Sequence, residues 1–219
     1  MILEKEKYNE YLSNFSTENI NFHFNENESD IIDKEHISVV MYLDIFNFSN
    51  KIRNRKAKQI SDYLKKFYDD VLPLINNEYG GKIDKIIGDG VIAIFSDIFK
   101  SRTTKYNDIF EDAYFCCREI IGKYKNTEYA SKAAISRGNL FFCRIANSNY
   151  DYNEITCIGE PLTIVHRLED ITDVNEISIP NGITIPNLVY DEEVPWKRHE
   201  KDYELKGLDF KTVQKVRLE

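Results

Sequence analysis

The sequence predicts an α+β domain of ferredoxin-like type, in which a central, mostly antiparallel sheet is flanked by helices. Three observations support this. Apolar runs of strand length alternate with segments in which apolar residues recur at helical spacing. An Asp-Gly pair joins two of the strand-like runs as a hairpin. The resulting order of strand, helix, hairpin, helix and strand is typical of this fold class.

The first 35 residues are expected to lie ahead of the compact domain. Residues 1–18 have the pattern of a polar helix, and the Asn- and Glu-rich stretch after them is interpreted as a loop or an arm. The domain itself is expected to span residues 36–219. It begins with a predicted buried strand over His36–Phe46, because this run is rich in β-branched and aromatic residues.

A long helix and a hairpin are predicted next. Apolar residues recur at helical spacing from Ser49, a candidate N-cap, to Leu74. The apolar runs Lys82–Ile87 and Val91–Phe95 are joined by Gly88-Asp89-Gly90, which is a strong hairpin signal. The rest of the chain predicts a second helix over residues 108–125, strands at 132–136 and 140–145, a short helix at 161–170, and strands at 176–179, 203–206 and 212–216.

The acidic composition argues against a broad nucleic-acid interface. The chain carries 37 acidic and 29 basic residues, a formal net charge of -8, whereas neutralising phosphates needs clustered Lys and Arg. We therefore expect no nucleic-acid partner. A polyanionic ligand would have to bind at a small local site or through metal ions.

The protein is expected to be cytoplasmic, without membrane association. No stretch approaches the ~18–20 continuous apolar residues of a membrane-spanning helix. The N-terminus lacks the basic start and apolar run of a signal peptide. The four cysteines show neither C-x-x-C nor zinc-ligand spacing and are interpreted as reduced, buried thiols.

Two aspartates stand where a metal site would need them. Asp44 interrupts a buried apolar strand near its end. A carboxylate in this place needs a charged partner or a metal, unless it caps the turn or helix that follows. Asp89 lies at the tip of the predicted hairpin, although turn chemistry alone would also explain an Asp there. Mg²⁺ prefers one or two carboxylates with phosphate oxygens, and the segment after Asp44 enters a helix N-terminus that favours phosphate. Together these residues indicate a site for metal and polyphosphate.

Five segments then carry a recognisable series of motifs. They are Asp44-Ile45-Phe46-Asn47-Phe48-Ser49, Gly80–Phe95, Ala134–Gly138, Ile158–Glu169 and Tyr203–Gly207. Over residues 36–207 they resemble, in order, the D-I-x-G-F-[TS], G-G-x-x-x-K-x-x-G-D-x-x-x-A-x-F, Gly-ended strand, I-G-D-x-V-N-x-A-x-R-L-E and L-K-G motifs of the class III nucleotidyl cyclases. The resemblance implies the catalytic domain of that family, which forms a head-to-tail homodimer with active sites at the interface.

The resemblance also implies the residues of the active site. Asp44 and Asp89, with the backbone of Ile45, would hold two divalent cations, Mg²⁺ or Mn²⁺, on a nucleoside triphosphate substrate. One cation would activate the ribose 3′-hydroxyl and the other would neutralise the leaving pyrophosphate. Arg167 from the partner chain would contact the phosphate being transferred, and Lys206 the terminal phosphates.

The substrate-binding residues depart from the family pattern. Lys85 and Thr156 occupy the two base-reading positions, a pair that is compatible with adenine and argues against guanine. Thr163 stands where an Asn usually orients the ribose, and Arg137, a candidate phosphate contact, precedes Gly138 instead of following it. The full set of substrate-binding positions implied by the resemblance is Tyr42, Phe46, Asn47, Phe48, Ser49, Lys85, Arg137, Thr156, Thr163 and Lys206.

Tyr42 bears most directly on the choice of base. It falls two residues before Asp44, at a position that lines the base pocket in the family, where bulk and a polar tip would suit a one-ring base. With this substitution the chain resembles the stand-alone pyrimidine cyclases of bacterial antiphage (Pycsar) systems, which make cyclic UMP or cyclic CMP as an alarm signal for a separate effector. UTP is the first expected substrate and CTP the next.

Other interpretations of the same residues stay open. Tyr42 would also fit as an ordinary core aromatic, and the domain as an adenylate cyclase with a drifted pocket. A catalytically silent domain that acts by dimerising has its best support in Thr163. A diguanylate-type synthase would need a G-G-[DE]-[DE]-F hairpin, which Gly88-Asp89-Gly90-Val91 does not supply.

Overall fold

Five helices and eight strands form the part of the chain that the structure, a computed structural model, describes: residues 28–99, 106, 108–147, 152–185 and 196–219. The helices are α1 (Glu28–Ile31), α2 (Phe48–Ile52), α3 (Ala57–Pro73), α4 (Ile109–Tyr124) and α5 (Glu160–Asp170), with a π-helical turn, Leu74–Glu78, after α3. The strands are β1 (Lys34–Ile45), β2 (Lys82–Ile87), β3 (Gly90–Phe95), β4 (Ser131–Asn147), β5 (Tyr152–Ile158), β6 (Glu176–Pro180), β7 (Trp196–Asp202) and β8 (Thr212–Leu218).

The strands form one sheet, which confirms the predicted fold class. Their order is β2-β3-β1-β4-β6-β8-β7, and β5 pairs with β4 outside this path. All pairings are antiparallel except that between β4 and β6. The sheet is therefore mostly antiparallel, and helices cover both of its faces.

The two faces of the sheet carry separate cores. Met41 and Leu43 of β1 pack on the side of α3 and α4, whereas Val40 and Tyr42 pack on the side of α5. Successive side chains of a strand point to opposite faces, so Asp44 lies on the same face as Tyr42. The end of β1 thus presents a carboxylate on the α5 side of the sheet.

The long helix predicted from Ser49 is divided into α2 and α3. A turn between them is closed by the N–H of Arg55, which donates to the carbonyl of Ile52 over 2.8 Å. The residue that caps α2 is Asn47, with φ 58° and ψ 33°, so the predicted N-cap at Ser49 is wrong. The left-handed conformation at Asn47 turns the chain two residues earlier than the pattern indicated.

β4 is one long strand where two short ones were predicted. Arg137-Gly138-Asn139 was expected to separate them, but β4 runs unbroken from Ser131 to Asn147. A Cβ atom on Gly138 would lie 2.8 Å from Cγ of Pro161. The glycine therefore allows the close approach of α5 to the strand and does not form a turn.

The prediction also misses β5 and β7, and the strand predicted at 203–206 is wrong. After β7 the chain turns, and the N–H of Tyr203 donates to the carbonyl of Lys211 over 2.8 Å. Lys206, a predicted site residue, lies in this turn and is exposed.

Residues 1–27, with the helix predicted there, lie outside the described residues. α1 falls within the predicted arm, and Ile31 at its end is 1% exposed in the core on the α5 side. The division of the chain at residue 35 stays a prediction.

In the described part of the chain, no helix combines the length and apolar character needed to cross a membrane.

Candidate active site

The structure brings Asp44 and Asp89 together. Asp44 is the penultimate residue of β1, and Asp89 lies in the turn between β2 and β3. Because β1 pairs with β3, with Leu43 opposite Val91, that turn lies beside the end of β1. The two carboxyl groups are in hydrogen-bonding contact. A strand end and a hairpin tip therefore converge on one acidic pair.

The electrostatics of this pair favour a cation. Burial, followed by the neighbouring Asp89 carboxylate, raises the pKa of Asp44, and burial also raises the pKa of Asp89. Two carboxylates in contact cannot both ionise readily, so the pair shares a proton unless a positive charge compensates them. A bound divalent cation is such a charge.

The donor set fits a hard cation that also takes ligands from its substrate. Within the described ranges, no group of three or more His, Cys, Asp or Glu side chains is arranged to hold a metal ion. Mg²⁺ typically uses one or two carboxylates and completes its shell with phosphate oxygens and water. The pair of Asp44 and Asp89 has this character.

Ile45 presents its backbone to the acidic pair. Its side chain is fully buried in the core on the α3 and α4 side. Its backbone N–H donates a hydrogen bond to Asp89, which lowers the pKa of that carboxyl and partly offsets burial. The role of the Ile45 backbone as a metal ligand stays a prediction.

Lys132 and Glu169 also lie beside the pair, although neither was predicted as a site residue. Lys132 is directly opposite Asp44 in the β1–β4 ladder. Its ammonium lies 2.6 Å from the Glu169 carboxylate and donates to the Glu169 carbonyl over 3.0 Å. The positive charge of Lys132 lowers the pKa of Asp44, whereas the negative charge of Glu169 raises it. Glu169 is the last residue of the fourth motif, so the sequence offers a local pattern that could have identified it. No local pattern identifies Lys132.

The segment after β1 carries four of the predicted substrate-binding residues, Phe46, Asn47, Phe48 and Ser49. Asn47 and Ser49 are exposed, and the ring of Phe48 packs 6.0 Å from that of Tyr63. Asn tolerates the left-handed conformation, which explains how Asn47 replaces the glycine of the motif. The N–H of Phe46 donates to the carbonyl of Ala130 over 2.9 Å, which anchors the start of this segment.

Lys51 of α2 is a further residue near the pair that was not predicted. Burial lowers the pKa of its ammonium, and the carboxylates of Asp89, Glu128 and Asp44 oppose that shift. A cation thus stands close to the acidic pair, on the short helix that begins at the end of the first motif.

Tyr42 is enclosed on the α5 side of the sheet. Its side chain is 8% exposed, and its ring meets that of His166 edge to face at 5.1 Å. A Cβ atom on Gly90 would lie 2.5 Å from Cε2 of Tyr42, so the glycine makes room for the ring. Burial, then the carboxylates of Asp44, Glu169, Asp89 and Asp170, raises the pKa of Tyr42 to about 12. The hydroxyl therefore stays protonated and available as a donor.

Tyr68 supports the hairpin tip from α3. Its hydroxyl donates to the carbonyl of Gly88, the residue before Asp89, over 2.5 Å. Burial, then the charges of Asp89 and Asp44, raises the pKa of Tyr68 to about 12. No local pattern in the sequence marks Tyr68, because its partner is 20 residues away.

The structure also brings the two predicted base-reading segments together. Lys85 lies on β2 and Thr156 on β5, and in the sheet these strands are separated by β3, β1 and β4. Nevertheless Sγ of Cys157, next to Thr156, lies 4.0 Å from Oδ1 of Asp84, next to Lys85. The long β4–β5 hairpin therefore reaches across to β2.

Thr163 and Arg167 are both exposed on α5, four residues apart and hence on one side of the helix. Lys206 is exposed in the turn after β7. These three side chains stand at the surface, and their predicted roles stay predictions.

Arg137 is not brought to the acidic pair of its own chain. In the β1–β4 ladder Arg137 lies opposite Val39, whereas Lys132 lies opposite Asp44. At ~3.3 Å per residue, the position of Arg137 is about 16 Å from that of Lys132 along β4. Its guanidinium binds both carboxylate oxygens of Asp108, at 3.1 and 3.3 Å, beside a cavity of about 530 Å³. Because β4 is continuous through Gly138, the arginine stays in mid-strand and does not reach the strand end.

No protein-family model matches the chain, and no curated protein does either. Solved structures do match. The adenylyl cyclase CyaB from P. aeruginosa is 18% identical with a TM-score of 0.66, over 85% of this chain and 95% of that one. The catalytic core of a rhodopsin-guanylyl cyclase with converted specificity, in complex with ATPalphaS, is 16% identical with a TM-score of 0.66, over 85% and 98%. The guanylate cyclase domain of RhGC from Catenaria anguillulae, in complex with GTP, is 15% identical with a TM-score of 0.64, again over 85% and 98%. The chain therefore has the fold of cyclase catalytic domains.

Proposed function

We propose that the protein is a class III nucleotidyl cyclase, which converts a nucleoside triphosphate to its 3′,5′-cyclic monophosphate and pyrophosphate. The observation that carries the proposal is the acidic pair, Asp44 and Asp89, at the end of a central strand and the tip of the adjoining hairpin. The fold of adenylyl and guanylyl cyclase domains and the five motifs in order support it.

In the proposed reaction the ribose 3′-oxygen forms a bond to the α-phosphorus, the bond from that phosphorus to the β-phosphate oxygen breaks, and the 3′-hydroxyl proton passes to solvent. Asp44, Asp89 and the Ile45 backbone would hold the two divalent cations, Mg²⁺ or Mn²⁺. Such cations, when bound, lower the pKa of the hydroxyl and neutralise charge on pyrophosphate. Because nucleophile and phosphate belong to one molecule, the protein's part is to orient them and to stabilise charge.

The proposed active form is a head-to-tail homodimer. Arg167, on the exposed side of α5, would contact the transferred phosphate of the nucleotide bound to the other chain. Thr163, on the same side of α5, would contact the ribose of that nucleotide. Large apolar side chains are exposed at the surface and could be buried in an interface with a partner chain. They are Ile37, Ile86, Ile87, Ile145 and Ile158.

The proposed substrate is a pyrimidine nucleoside triphosphate, UTP first and CTP next. Tyr42 is held by His166 and Gly90 and keeps its hydroxyl proton, so it can fill part of the base pocket and donate to a base edge. The resemblance to antiphage pyrimidine cyclases extends the proposal to a cytoplasmic signalling enzyme whose product is read by a separate effector in antiviral defence. A second candidate, an adenylate cyclase, is favoured by the pair of Lys85 and Thr156.

The test is turnover of ATP, GTP, CTP and UTP, each with Mn²⁺ or Mg²⁺, with products identified by mass. We expect cyclic UMP, with or without cyclic CMP, and none from the Asp44→Ala variant. Turnover of ATP alone would support the adenylate cyclase instead. Absence of a cyclic product from all four would contradict the cyclase proposal.

A further inference from the structure

Asp84 is a buried carboxylate next to a predicted base-reading lysine. It lies on β2 where the pairing with β3 shifts register, between Ile83 and Lys85. Its side chain is 5% exposed, whereas that of Lys85 is 45% exposed. Oδ2 of Asp84 lies 3.0 Å from Nζ of Lys85, so the buried carboxylate holds the more exposed ammonium in an ion pair.

Asp84 also lies where the two base-reading segments meet. Its other carboxylate oxygen, Oδ1, is 4.0 Å from Sγ of Cys157, the neighbour of Thr156 on β5. Burial raises the pKa of the Cys157 thiol, which therefore stays protonated and can donate weakly to that oxygen. One carboxylate thus contacts both strands that carry the predicted base readers.

An unanchored lysine would read a base poorly. Its ammonium is a strongly hydrated point charge on a flexible stem. A triphosphate in the same site would attract this charge more strongly than a neutral base edge does. A fixed carboxylate 3.0 Å from Nζ restricts the ammonium and offsets part of that attraction.

We propose that Asp84 is a positioning residue that holds the Lys85 ammonium at the base and thereby sets the base preference of the site. The inference rests on the proposed function, because it assumes that a nucleoside triphosphate binds here. Asp84 acts through Lys85 and does not touch the reacting atoms. Burial raises the pKa of Asp84 and the Lys85 ammonium opposes that shift, as expected of a carboxylate that relies on Lys85.

The test is equilibrium binding of the 3′-deoxy forms of ATP, GTP, CTP and UTP with Mn²⁺. These lack the attacking hydroxyl, so binding is measured without reaction. We would compare the wild type with Asp84→Asn, which keeps the shape and removes the charge, with Lys85→Met, and with the double variant. Asp62→Asn, at an exposed position of α3, is the matched control. Thermal unfolding of each variant shows whether it is folded.

Asp84→Asn should weaken binding of the preferred base about tenfold, the size of a lost hydrogen bond to a charged group, and should weaken the other bases less. Lys85→Met should show the same loss, and the double variant no further one. Equal losses for all four bases, no loss, additive losses, or a wild type that does not discriminate between bases would each overturn the inference. Failure of the proposed function has a different signature, which is the absence of cyclic product from the ordinary triphosphates whatever the binding data show.

Discussion

At the scale of single residues, the account depends on how Asp44 and Asp89 bear their charges. The two carboxyl groups are in contact and largely withdrawn from water. Burial raises the pKa of each, and the Asp89 carboxylate raises that of Asp44 further, whereas the hydrogen bond with Asp44 lowers the pKa of Asp89. Lys132 provides a compensating charge opposite Asp44 but is itself paired with Glu169. The pair is therefore best satisfied by a further cation.

Replacing Asp44 should remove metal-dependent stabilisation without unfolding the protein. Mn²⁺ with a 3′-deoxynucleoside triphosphate should raise the melting temperature of the wild type, because a ligand that binds only the folded state stabilises it by about 2.7 kcal/mol at 100 times its Kd. Asp44→Asn should lose this increase. Without metal it should be at least as stable as the wild type, because a neutral amide replaces a carboxyl group whose ionisation is disfavoured by burial.

Asp62→Asn is the control for this measurement, since Asp62 is exposed on α3. Equal increases in melting temperature for Asp44→Asn and the wild type would contradict the assignment of Asp44 to the metal site.

Tyr42 should affect the choice of base more than the rate of the chemistry. Tyr42→Phe removes only the hydroxyl and should lower kcat/KM for UTP about tenfold, the effect of losing one hydrogen bond to the base. Tyr42→Ala should lower pyrimidine turnover more than purine turnover, because the pocket is enlarged. Steady-state kinetics with all four triphosphates measure both. An unchanged ratio of pyrimidine to purine kcat/KM in both variants would mean that Tyr42 is only a core aromatic.

These residues also show what the sequence can predict. Asp44 and Asp89 were identifiable because a charged residue in an apolar strand and an Asp-Gly turn are local patterns. Lys132 could not be identified in this way, because its place depends on the register that puts it opposite Asp44, 88 positions earlier in the chain. Arg137 was expected near phosphate, but the same register places it opposite Val39.

At the scale of elements, the proposed metal site requires the β2–β3 hairpin to keep Asp89 in place, and Tyr68 of α3 supports that hairpin. Tyr68→Phe removes the hydrogen bond to the Gly88 carbonyl. We expect kcat to fall about tenfold while the free energy of unfolding falls by only about 1 kcal/mol, the usual value of one hydrogen bond. Activity assays and denaturant unfolding on the same preparation test this.

Tyr124→Phe is a matched control for Tyr68→Phe. The Tyr124 hydroxyl donates over 2.5 Å to Asp70 of α3, and its partner lies outside the hairpin. It should show a similar loss of stability and unchanged kcat. If both variants lost the same activity, Tyr68 would have no particular role in positioning Asp89.

The elements that prediction missed have physical explanations. Gly138 resembles a turn residue in sequence, yet it is a strand residue that lets Pro161 approach. β7 is an edge strand whose sequence, WKRHEKD, is mostly charged and exposed, so it lacks the apolar alternation that marks a strand. β1 and the β2–β3 hairpin were predicted nearly as they are, because their core-facing residues are locally apolar.

At the scale of the whole molecule, a net charge of -8 opposes a triphosphate unless cations mediate. The acidic pair resolves this conflict if it recruits metal, and Lys51 and Lys132 add local positive charge around it. Binding of triphosphate should therefore depend on divalent cations more strongly than on monovalent salt.

The proposed homodimer predicts that two inactive variants rescue each other. Asp44→Asn and Arg167→Ala should each be inactive alone, because every site then lacks one of its two contributions. Mixed after partial unfolding and refolding, they should regain roughly a quarter of the wild-type activity, since half of the dimers are mixed and each mixed dimer has one intact site of two. No recovery would mean that both residues act from the same chain.

The central claim is that this acidic pair supports cyclisation of a nucleoside triphosphate, and product analysis tests it most directly. Purified protein with UTP and Mn²⁺ should release pyrophosphate and 3′,5′-cyclic UMP in equal amounts, and Asp89→Asn should release neither. If no triphosphate gives a cyclic product under conditions in which the protein is folded and binds nucleotide, the account is contradicted.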